Sequence, residues 1–536
     1  MIAKIAVSAA NFAIDKPYSY QISDEQQVAP GMRVIVPFGR SNRSAEGVVL
    51  TVEKGSPDGL KSILQVMDEE PVLSANMLRL ASFLRERCFC TLFDAVRAML
   101  PAGLWFQSKD TYSLTDDHSW QEKNFRQADG KLLLEILQSC GGSADGSVLR
   151  QVVPEEEKFE KAVSYLLGKK WIIAQRNFLR KTGDKQQQIA TLAVPAEEAL
   201  AFAATRSKSA TAQRSVLNLM CSIGSAPVKE ICYFTGATSA TVRRLAELGY
   251  LTLTEKEVLR CREIRPTELN NPLVLNEEQQ AAFDGLSAQM DSDTPGTALL
   301  YGVTGSGKTS VYIKLIEKCI SAGKQAILLV PEIALTPQLL GLMAAYFGDW
   351  VAVLHSSLPA TERYDQWKRV RSGDAKLVVG TRSAVFAPCP HLGLVILDEE
   401  QEHSYKSENT PRYHARDVAL WRGYKEKTLV LLGSATPSVE SMFYAKSGIY
   451  KLYRMQNRFG GRKLPKVELV DMRQEMKLGN DLSLSNTLQN AVRETEQAGK
   501  QAILFLNRRG NSRAMVCVEC RESPECPRCK IGRAHV

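Results

Sequence analysis

A glycine-rich stretch near the middle of the chain has the residue types that bind nucleotide phosphates. Residues 302–309 read GVTGSGKT and fit the pattern G-x-x-x-x-G-K-[ST]. In that pattern backbone amides curl around the phosphates, the lysine reaches the terminal phosphates, and the hydroxyl ligates magnesium. We predict an ATP site, and an ordinary glycine-rich turn is the alternative. The residues of the predicted site are Gly302, Gly305, Gly307, Lys308 and Thr309.

Two carboxylates that follow an apolar run are the second candidate for chemistry. Residues 394–397 are apolar, and Asp398 and Glu399 come directly after them. Asp398 would hold magnesium together with Thr309, while Glu399 would polarise the attacking water. We therefore predict Lys308, Asp398 and Glu399 as catalytic residues. A strand that ends in a solvated acidic turn is the alternative.

The segments around these residues predict a parallel α/β sheet. An apolar run at 298–301 precedes the glycine-rich stretch, and a helical pattern at 311–316 follows it. Strands and helices alternate over 263–450, which is typical of an α/β lobe. Loops after parallel strands meet at the carboxyl edge of the sheet, so we expect the site to lie at that edge. Upstream, Gln279 offers a side-chain amide suited to reading adenine.

Residues 1–105 predict a small β-barrel-like domain. Short apolar runs at 33–39 and 47–52 are separated by a polar turn, and a helical pattern covers 74–100. Residues 1–14 favour a first strand over a signal peptide, because the apolar stretch is short and an asparagine interrupts it.

Residues 106–262 contain two similar blocks, each made of helical patterns, a glycine and a short strand. This order is typical of winged-helix units. Residues 240–245 would form the recognition helix of the second unit. Winged helices also serve as packing or protein-docking modules, so DNA contact by this region stays open.

Composition indicates an ordinary globular protein of several domains. The chain has 536 residues, of which 44% are hydrophobic and 24% charged. It has no run of apolar residues long enough to cross a membrane, so we expect a cytoplasmic protein. The net charge of +9 permits a polyanionic partner without requiring one.

The 12 cysteines fall into two groups. Those between Cys88 and Cys389 are scattered in mostly apolar surroundings, which predicts reduced, buried thiols of an intracellular protein. The others form two C-x-x-C pairs, a spacing typical of zinc ligands, with free thiols as the alternative. These pairs are Cys517, Cys520, Cys526 and Cys529.

The order of these motifs resembles that of superfamily-2 helicases and, more narrowly, the PriA family of bacterial replication-restart helicases. Residues 331–338 (PEIALTPQ), 380–383 (GTRS) and 433–438 (GSATPS) carry the narrower resemblance, which covers nearly the whole chain. The resemblance implies an ATP-driven 3′-to-5′ DNA helicase that uses Mg²⁺ and Zn²⁺. It implies binding to stalled forks and D-loops and help in loading the replicative helicase. The implied partners are branched and single-stranded DNA, other primosomal proteins and single-stranded-DNA-binding protein.

The resemblance also implies DNA contacts in the motor. Residues 403–417 resemble the family's aromatic-rich loop, which couples DNA binding to hydrolysis. Tyrosines there can stack on bases and cations can meet phosphates, while a solvated loop with surface tyrosines is the alternative. Gln401 stands where the family often has histidine. The implied contacts are Thr381, Arg382, Tyr405, Lys406, Tyr413 and Arg416.

A second implied DNA site is the family's pocket for the free 3′ end of a strand. The matching positions are Tyr18, Ser19, Gly39 and Lys61. Gly39 would allow close backbone approach, and Lys61 would pair with a phosphate. The family often has Phe-Asp at the first two positions, so a weaker hydroxyl replaces an acid that could bind the 3′ hydroxyl.

The end of the chain departs from the family pattern. Residues 451–516 resemble the start of a second RecA-like lobe, with a first strand and loop at 502–510. Residues 517–530 resemble a partial zinc-binding segment. Related chains have eight cysteines that form two zinc sites, so each site would have half its ligands. We expect residues 531–536 to be a non-native tail. The late arginine motifs are absent, so we expect that the chain as written binds ATP weakly and cannot unwind DNA.

Two other functions are compatible with the sequence. The first is a branched-DNA-binding module with a non-functional motor, which would bind forks through residues 1–262. The second is another superfamily-2 translocase, against which the N-terminal region and the cysteine pairs argue.

Overall fold

The structure is a computed structural model, and it forms two compact units, Met1–Gly461 and Arg462–Val536. The residues it describes are 1–40, 42–56, 58–117, 119–120, 128–180, 186–205, 210–269, 272–458, 466–480 and 484–505.

The N-terminal region is an antiparallel sheet packed against two helices. The strands are β1 (Ile2–Val7), β2 (Tyr18–Gln21), β3 (Arg33–Phe38), β4 (Arg43–Glu53) and β5 (Gln65–Val66), and the helices are α1 (Ala75–Cys88) and α2 (Leu92–Met99). The strand order is β2-β1-β4-β3-β5, and an isolated bridge joins Gln21 to Ser62 near β5. The predicted strands and helical stretch are confirmed, while closure of the sheet into a barrel stays a prediction.

The two middle blocks repeat one topology. The first contains β6 (Phe106–Leu114), α3 (Ala128–Ser139), β7 (Ser143–Asp145), α4 (Gly146–Val152), α5 (Glu156–Gly168) and β8 (Ile172–Arg180). The second contains β9 (Gln186–Leu192), α6 (Ala196–Thr205), α7 (Thr211–Ile223), β10 (Ser225–Pro227), α8 (Val228–Thr235), α9 (Ser239–Glu247) and β11 (Leu251–Glu257). Each has a small antiparallel sheet with the short strand and the last strand flanking the first, in the orders β7-β6-β8 and β10-β9-β11. The winged-helix assignment stays a prediction, with α9 as its recognition helix.

The α/β lobe, which we call the motor lobe, extends over residues 277–455. It contains a seven-stranded sheet whose strands are all parallel. Its helices are α10 (Glu277–Met290), α11 (Lys308–Ser321), α12 (Pro337–Phe347), α13 (Ala360–Ser372), α14 (Ala415–Glu426) and α15 (Val439–Lys446). Its strands are β12 (Thr297–Gly302), β13 (Gln325–Leu329), β14 (Val351–Leu354), β15 (Leu377–Gly380), β16 (Leu392–Asp398), β17 (Leu429–Ser434) and β18 (Lys451–Met455). The strand order is β14-β15-β13-β16-β17-β12-β18, so the predicted parallel α/β sheet is confirmed.

Alternate side chains of the sheet pack into two different cores. On β13, Ala326 and Leu328 face the core that contains residues of α10 and α11. Ile327 and Leu329 face a core that continues into α1 and α2 of the N-terminal region. Because a strand directs successive side chains to opposite faces, the buried strand β13 packs against the cores on both faces of the sheet.

The motor sheet extends beyond the predicted boundary at residue 450. β18 pairs in parallel with β12, from Ala298 opposite Lys451 to Gly302 opposite Met455. The predicted start of the second lobe at 451 is therefore too early, because these residues complete the edge of the first sheet.

The second unit contains α16 (Met472–Lys477) and α17 (Asn486–Gln497) within its described residues. Residues 502–505 were predicted as the beginning of a strand, but they carry no strand and are exposed. Strands need hydrogen-bonding partners, and none of the described residues pairs with this segment. The rest of that prediction, the four zinc-ligand cysteines and residues 531–536 lie outside the described residues.

Within the described residues, no helix is both long and apolar enough to cross a membrane. The eight cysteines from Cys88 to Cys389 are all free. Burial agrees with the prediction for Cys90, Cys319 and Cys389, whereas Cys140 is exposed at the end of α3.

Candidate nucleotide-binding site

The glycine-rich stretch forms a loop between the end of β12 and the beginning of α11, as predicted. Gly305 and Gly307 have φ angles of 81° and 83°, which L side chains rarely adopt. Lys308 Nζ donates a hydrogen bond to the Gly302 carbonyl oxygen at 3.0 Å. A Cβ at Gly302 would lie only 2.6 Å from the Ser306 hydroxyl oxygen, so the loop closes tightly on itself.

These features fit a bound triphosphate. Ser306 is 1% exposed, and its hydroxyl has no hydrogen-bond partner among the described residues. Buried polar atoms are normally satisfied, so an orphaned hydroxyl beside a ring of glycines is consistent with phosphate oxygens as partners. A Cβ at Gly305 would meet open space, which leaves room on the outer side of the loop. Thr309 is half-buried at the beginning of α11.

Asp398 lies at the carboxyl end of β16, next to the loop. In register it pairs with Gly433 of β17, and Tyr301 of β12 pairs with Ser434 of β17. Burial raises the pKa of Asp398, and the charge of Lys308 is among the influences that lower it. The predicted catalytic lysine and aspartate are therefore neighbours. Asp398 and Thr309 would hold Mg²⁺, whose charge would offset the cost of burying the carboxylate.

Tyr312 is a site residue that the sequence reasoning missed. Its hydroxyl donates to Asp398 Oδ1 at 2.9 Å, and burial, followed by the charge of Asp398, raises the pKa of Tyr312 well above its ordinary value. A Cβ at Gly433 would lie 1.8 Å from that hydroxyl oxygen, so the glycine is required there. The spacing from Lys308 was an available signal, because residues four apart share one helix face.

Glu399 is held at the same edge in a left-handed backbone conformation, with φ of 47°. The amide of Gln401 donates to Glu399 Oε2 at 3.0 Å, and its oxygen accepts from the Ser434 hydroxyl at 2.6 Å. Gln401 thus links the predicted catalytic glutamate to the last residue of β17. Gln401, which stands where the family often has histidine, therefore still connects the acidic residues after β16 to residues 433–438.

Glu400 is a second residue that the sequence reasoning missed, although it is the third acid of the motif. It is 1% exposed and accepts from the Ser438 amide at 2.7 Å and the Ser441 hydroxyl at 3.0 Å. Arg416 Nη1 donates to Glu400 Oε2 at 2.9 Å. The predicted DNA contact by Arg416 is therefore wrong for this conformation, because its guanidinium is paired inside the lobe.

Gln279 does not have the exposed amide that adenine reading requires, so that prediction is also wrong for this conformation. The side chain is 1% exposed. Its nitrogen donates to the Ser306 carbonyl oxygen at 2.9 Å, and its oxygen accepts from the Asn276 amide at 3.0 Å. A Cβ at Gly307 would lie 2.3 Å from the Gln279 nitrogen. Gln279 instead supports the phosphate loop from α10.

The two tyrosines predicted to stack on bases are buried. Tyr405 is 1% exposed, and its hydroxyl oxygen lies 2.7 Å from the Asp398 carbonyl oxygen. Tyr413 is 6% exposed and packs edge-on against Phe386. Neither ring offers a face to a base, so the stacking prediction is wrong for this conformation. The burial arises because segments distant in sequence, including α1, cover this loop.

The remaining predicted motor contacts lie around the same loop. Lys406 is exposed, as a phosphate contact requires. Arg382 Nη1 donates to the carbonyl oxygens of Ser404 and Lys406, at 3.1 and 2.6 Å. Thr381 is buried at the end of β15. Arg382 therefore positions the loop backbone, and DNA contact by these residues stays a prediction.

The four residues predicted to bind a 3′ end lie close to one another in the N-terminal sheet. Lys61 Nζ donates to the Gly39 carbonyl oxygen at 2.7 Å, and Gly39 has φ of 70° with open space beside it. The Tyr18 ring packs edge-on against Phe38, and the Ser19 hydroxyl accepts from the Lys4 ammonium at 3.0 Å. Lys4 is a further cation that the sequence reasoning missed, placed opposite Ser19 by the pairing of β1 and β2.

Two family models match the chain in these regions. Residues 4–101 match the 3′DNA-binding domain (3′BD) of PriA, and residues 276–443 match the DEAD/DEAH box helicase model. The chain is 37% identical over 545 aligned residues to replication restart protein PriA of Bacillus subtilis, an alignment that covers 99% of this chain and 65% of that protein. The chain is therefore similar to PriA proteins along nearly its whole length. With PriA of Synechocystis it is 33% identical over 97% of this chain and 62% of that protein.

The chain therefore spans 65% and 62% of the length of these two PriA relatives. Among solved structures, RecG bound to a three-way DNA junction is 24% identical, with a TM-score of 0.32 over 44% of this chain and 31% of that one.

Proposed function

We propose that this chain provides the nucleotide-driven motor and the DNA-end-binding region of a 3′-to-5′ replication-restart helicase. One observation carries the proposal. Lys308 follows β12, whereas Asp398 and Glu399 lie at the carboxyl end of β16, and β17 pairs in parallel with both of these strands. Ligands bind at this edge in α/β sheets.

The residues have distinct chemical roles in this proposal. Bound ATP with Mg²⁺ supplies the free energy of hydrolysis. Lys308 and the loop amides bind and orient the phosphates, and Asp398 and Thr309 hold the metal. Glu399, fixed by Gln401, positions the water and accepts its proton. Gln401 also joins Glu399 to Ser434 at the end of β17, and the Ser434 hydroxyl oxygen accepts from the Thr436 amide, so a change at the nucleotide would reach the loop after β17.

The DNA part of the proposal rests on the N-terminal region and on the similarity to PriA proteins. Tyr18, Ser19, Gly39 and Lys61 would bind the free 3′ end, and stalled forks and D-loops would be the substrates. Help in loading the replicative helicase, with other primosomal proteins and single-stranded-DNA-binding protein, belongs to the same proposal. So does zinc binding by the two cysteine pairs, which zinc analysis of the purified chain would test.

The nucleotide site can be tested by titrating a fluorescent ATP analogue into the full chain. Lys308→Ala should weaken binding at least about tenfold, because a charge-assisted contact to phosphate contributes more than about 1.4 kcal/mol. Lys314→Ala is the matched control, since Lys314 lies on the same helix and pairs with Glu317. Equal affinities for the two variants would overturn the site assignment.

Fork binding separates the motor from the alternative of a DNA-binding module with a non-functional motor. In the helicase proposal, ATP changes the affinity of the wild-type chain for a forked oligonucleotide, and Lys308→Ala abolishes the change. Fork affinity that is the same with and without ATP would favour the binding module.

A further inference from the structure

A cavity of about 500 Å³ lies between the N-terminal region and the motor lobe, outside the nucleotide site. One wall is α1, the second is the loop that contains Lys406, and the third is α14. The pocket therefore exists only where the 3′DNA-binding domain and the helicase domain meet. Residues of all three walls belong to one continuous core, so the pocket is preformed.

The pocket has an aromatic floor. The rings of Phe83 on α1 and Trp421 on α14 have centroids 5.8 Å apart and planes inclined by 32°. Both residues are half-buried, so one side of the pair is covered by protein and part of its surface faces the cavity. Leu84 and Val418 lie beneath and are fully buried. A flat, partly accessible aromatic surface is suited to stacking on a nucleobase.

The rim of the pocket is positively charged. The lining includes three cations, Arg87, Lys406 and Arg412, against one carboxylate, Asp417. All three cations are exposed, and none forms an ion pair with any residue that the structure describes. The guanidinium of Arg87 lies 5.9 Å from the centroid of the Phe83 ring. Unpaired cations beside an aromatic floor attract an anion attached to a flat ring.

The pocket is directly connected to the nucleotide site. Lys406 follows Tyr405, whose hydroxyl oxygen lies 2.7 Å from the Asp398 carbonyl oxygen. The Lys406 carbonyl oxygen accepts from Arg382. A ligand that binds the Lys406 side chain therefore contacts the residue next to Tyr405, which packs against the predicted metal-binding residue Asp398.

From this geometry we propose that the pocket binds a short segment of single-stranded DNA. A base stacks on Trp421 and the adjoining phosphates pair with Arg87, Lys406 and Arg412. The inference deepens the proposed helicase function, on which it rests, by giving α1 of the N-terminal region a direct part in the DNA track of the motor. Strand DNA supplies a base and several phosphates in a row, which matches cations spread over two protein walls. A free nucleotide would offer the same chemistry from a second source.

The test is fluorescence anisotropy of a labelled thymidine oligonucleotide with the full chain at several salt concentrations. Arg87→Gln and Arg412→Gln should each weaken binding and lower the slope of log affinity against log salt by about 0.7, as expected for one lost phosphate contact on a single strand. Trp421→Leu should weaken binding by about 5- to 150-fold, the effect of losing one stacked base. Lys161→Gln is the matched control, because Lys161 is an exposed cation on α5.

Arg87→Gln also distinguishes the two sources of the ligand. Unchanged affinity for a fluorescent ATP analogue, together with weakened DNA binding, supports the DNA site. Weakened ATP binding with unchanged DNA binding would overturn it in favour of a nucleotide site. DNA binding by Arg87→Gln and Arg412→Gln equal to that of Lys161→Gln would overturn the pocket alone. A wild-type chain that does not bind the oligonucleotide would overturn the proposed DNA function itself.

Discussion

Gln279 has a structural role at the nucleotide site, because both polar atoms of its side chain contact the protein. The amide joins the Asn276 cap of α10 to the Ser306 carbonyl oxygen of the phosphate loop. Removing it would leave the Asn276 amide and the Ser306 carbonyl without these contacts, at a cost of about 1–3 kcal/mol. The loop would then lose the support that fixes Gly307.

We predict that Gln279→Ala weakens ATP and GTP binding by a similar factor of about 5- to 150-fold, the equivalent of that energy. Reading of adenine by Gln279 requires the opposite pattern, in which ATP affinity falls while GTP affinity is kept. Competition titrations with the two nucleotides measure the ratio. Gln280→Ala is the control, since Gln280 is exposed and contacts Asp284 on the outer side of the helix.

At the residue scale, the sequence predicted which motifs meet but not which side chains reach solvent. The glycines, Lys308 and Asp398 were predictable because their spacing follows from phosphate and metal chemistry. Tyr405 and Tyr413 lie among charged residues in the sequence, and yet both are buried. Their burial depends on β13, α1 and the segment around Phe386, which a local pattern cannot reveal.

At the scale of elements, the connection between the second middle block and the motor is held against the lobe. This linker, residues 258–269, has no helix or strand. The Arg260 amide and guanidinium donate to Asp365 Oδ2 on α13 at 2.7 and 2.9 Å. Farther along, the Thr267 amide donates to the Gly341 carbonyl oxygen at 3.0 Å, and a Cβ at Gly341 would lie 2.6 Å from the Thr267 hydroxyl oxygen. These hydrogen bonds therefore hold the linker against the surface of the motor lobe.

We predict that Asp365→Ala opens the linker to proteolysis. Asp365 is 1% exposed, and its loss removes two hydrogen bonds to Arg260, at a cost of about 1–3 kcal/mol. The open linker would become about 5- to 150-fold more populated, and trypsin cleavage after Arg262 would accelerate accordingly. Glu268→Ala removes an exposed carboxylate from the linker, away from the cleaved bond, and is the control. Equal cleavage rates in both variants would show that Asp365 does not hold the linker.

The sequence predicted the kinds of elements better than their limits. Strict alternation of strands and helices was enough to predict the parallel sheet, since that topology needs a crossover after each strand. The edge strand β18 was missed because pairing with β12, rather than any local pattern, makes it part of the lobe. Residues 502–505 show the converse, an apolar run without strand pairing among the described residues.

At the scale of the molecule, the N-terminal region and the motor lobe share a core. Leu80, Leu84 and Val96 of α1 and α2 lie in the same buried cluster as Phe386 and Val418 of the motor. The first middle block has a core of its own, which includes Leu134 and Phe159. Sharing of one core favours cooperative unfolding, whereas separate cores open independently. The residues predicted to bind a 3′ end and the candidate nucleotide site are therefore expected to lie on one rigid body.

Leu84→Ala tests this coupling, because Leu84 is on α1 and is 0% exposed. A large-to-small substitution in a core costs about 2–5 kcal/mol. If the core is shared, hydrogen exchange followed by mass spectrometry will show faster exchange in α14 of the motor as well as in α1. Leu134→Ala is matched in chemistry and burial but belongs to the other core, so its effect should stay within the first middle block, from β6 to β8. Exchange in α14 that is unchanged by Leu84→Ala would mean that the two regions are stable independently, and the pocket between them would then not be preformed.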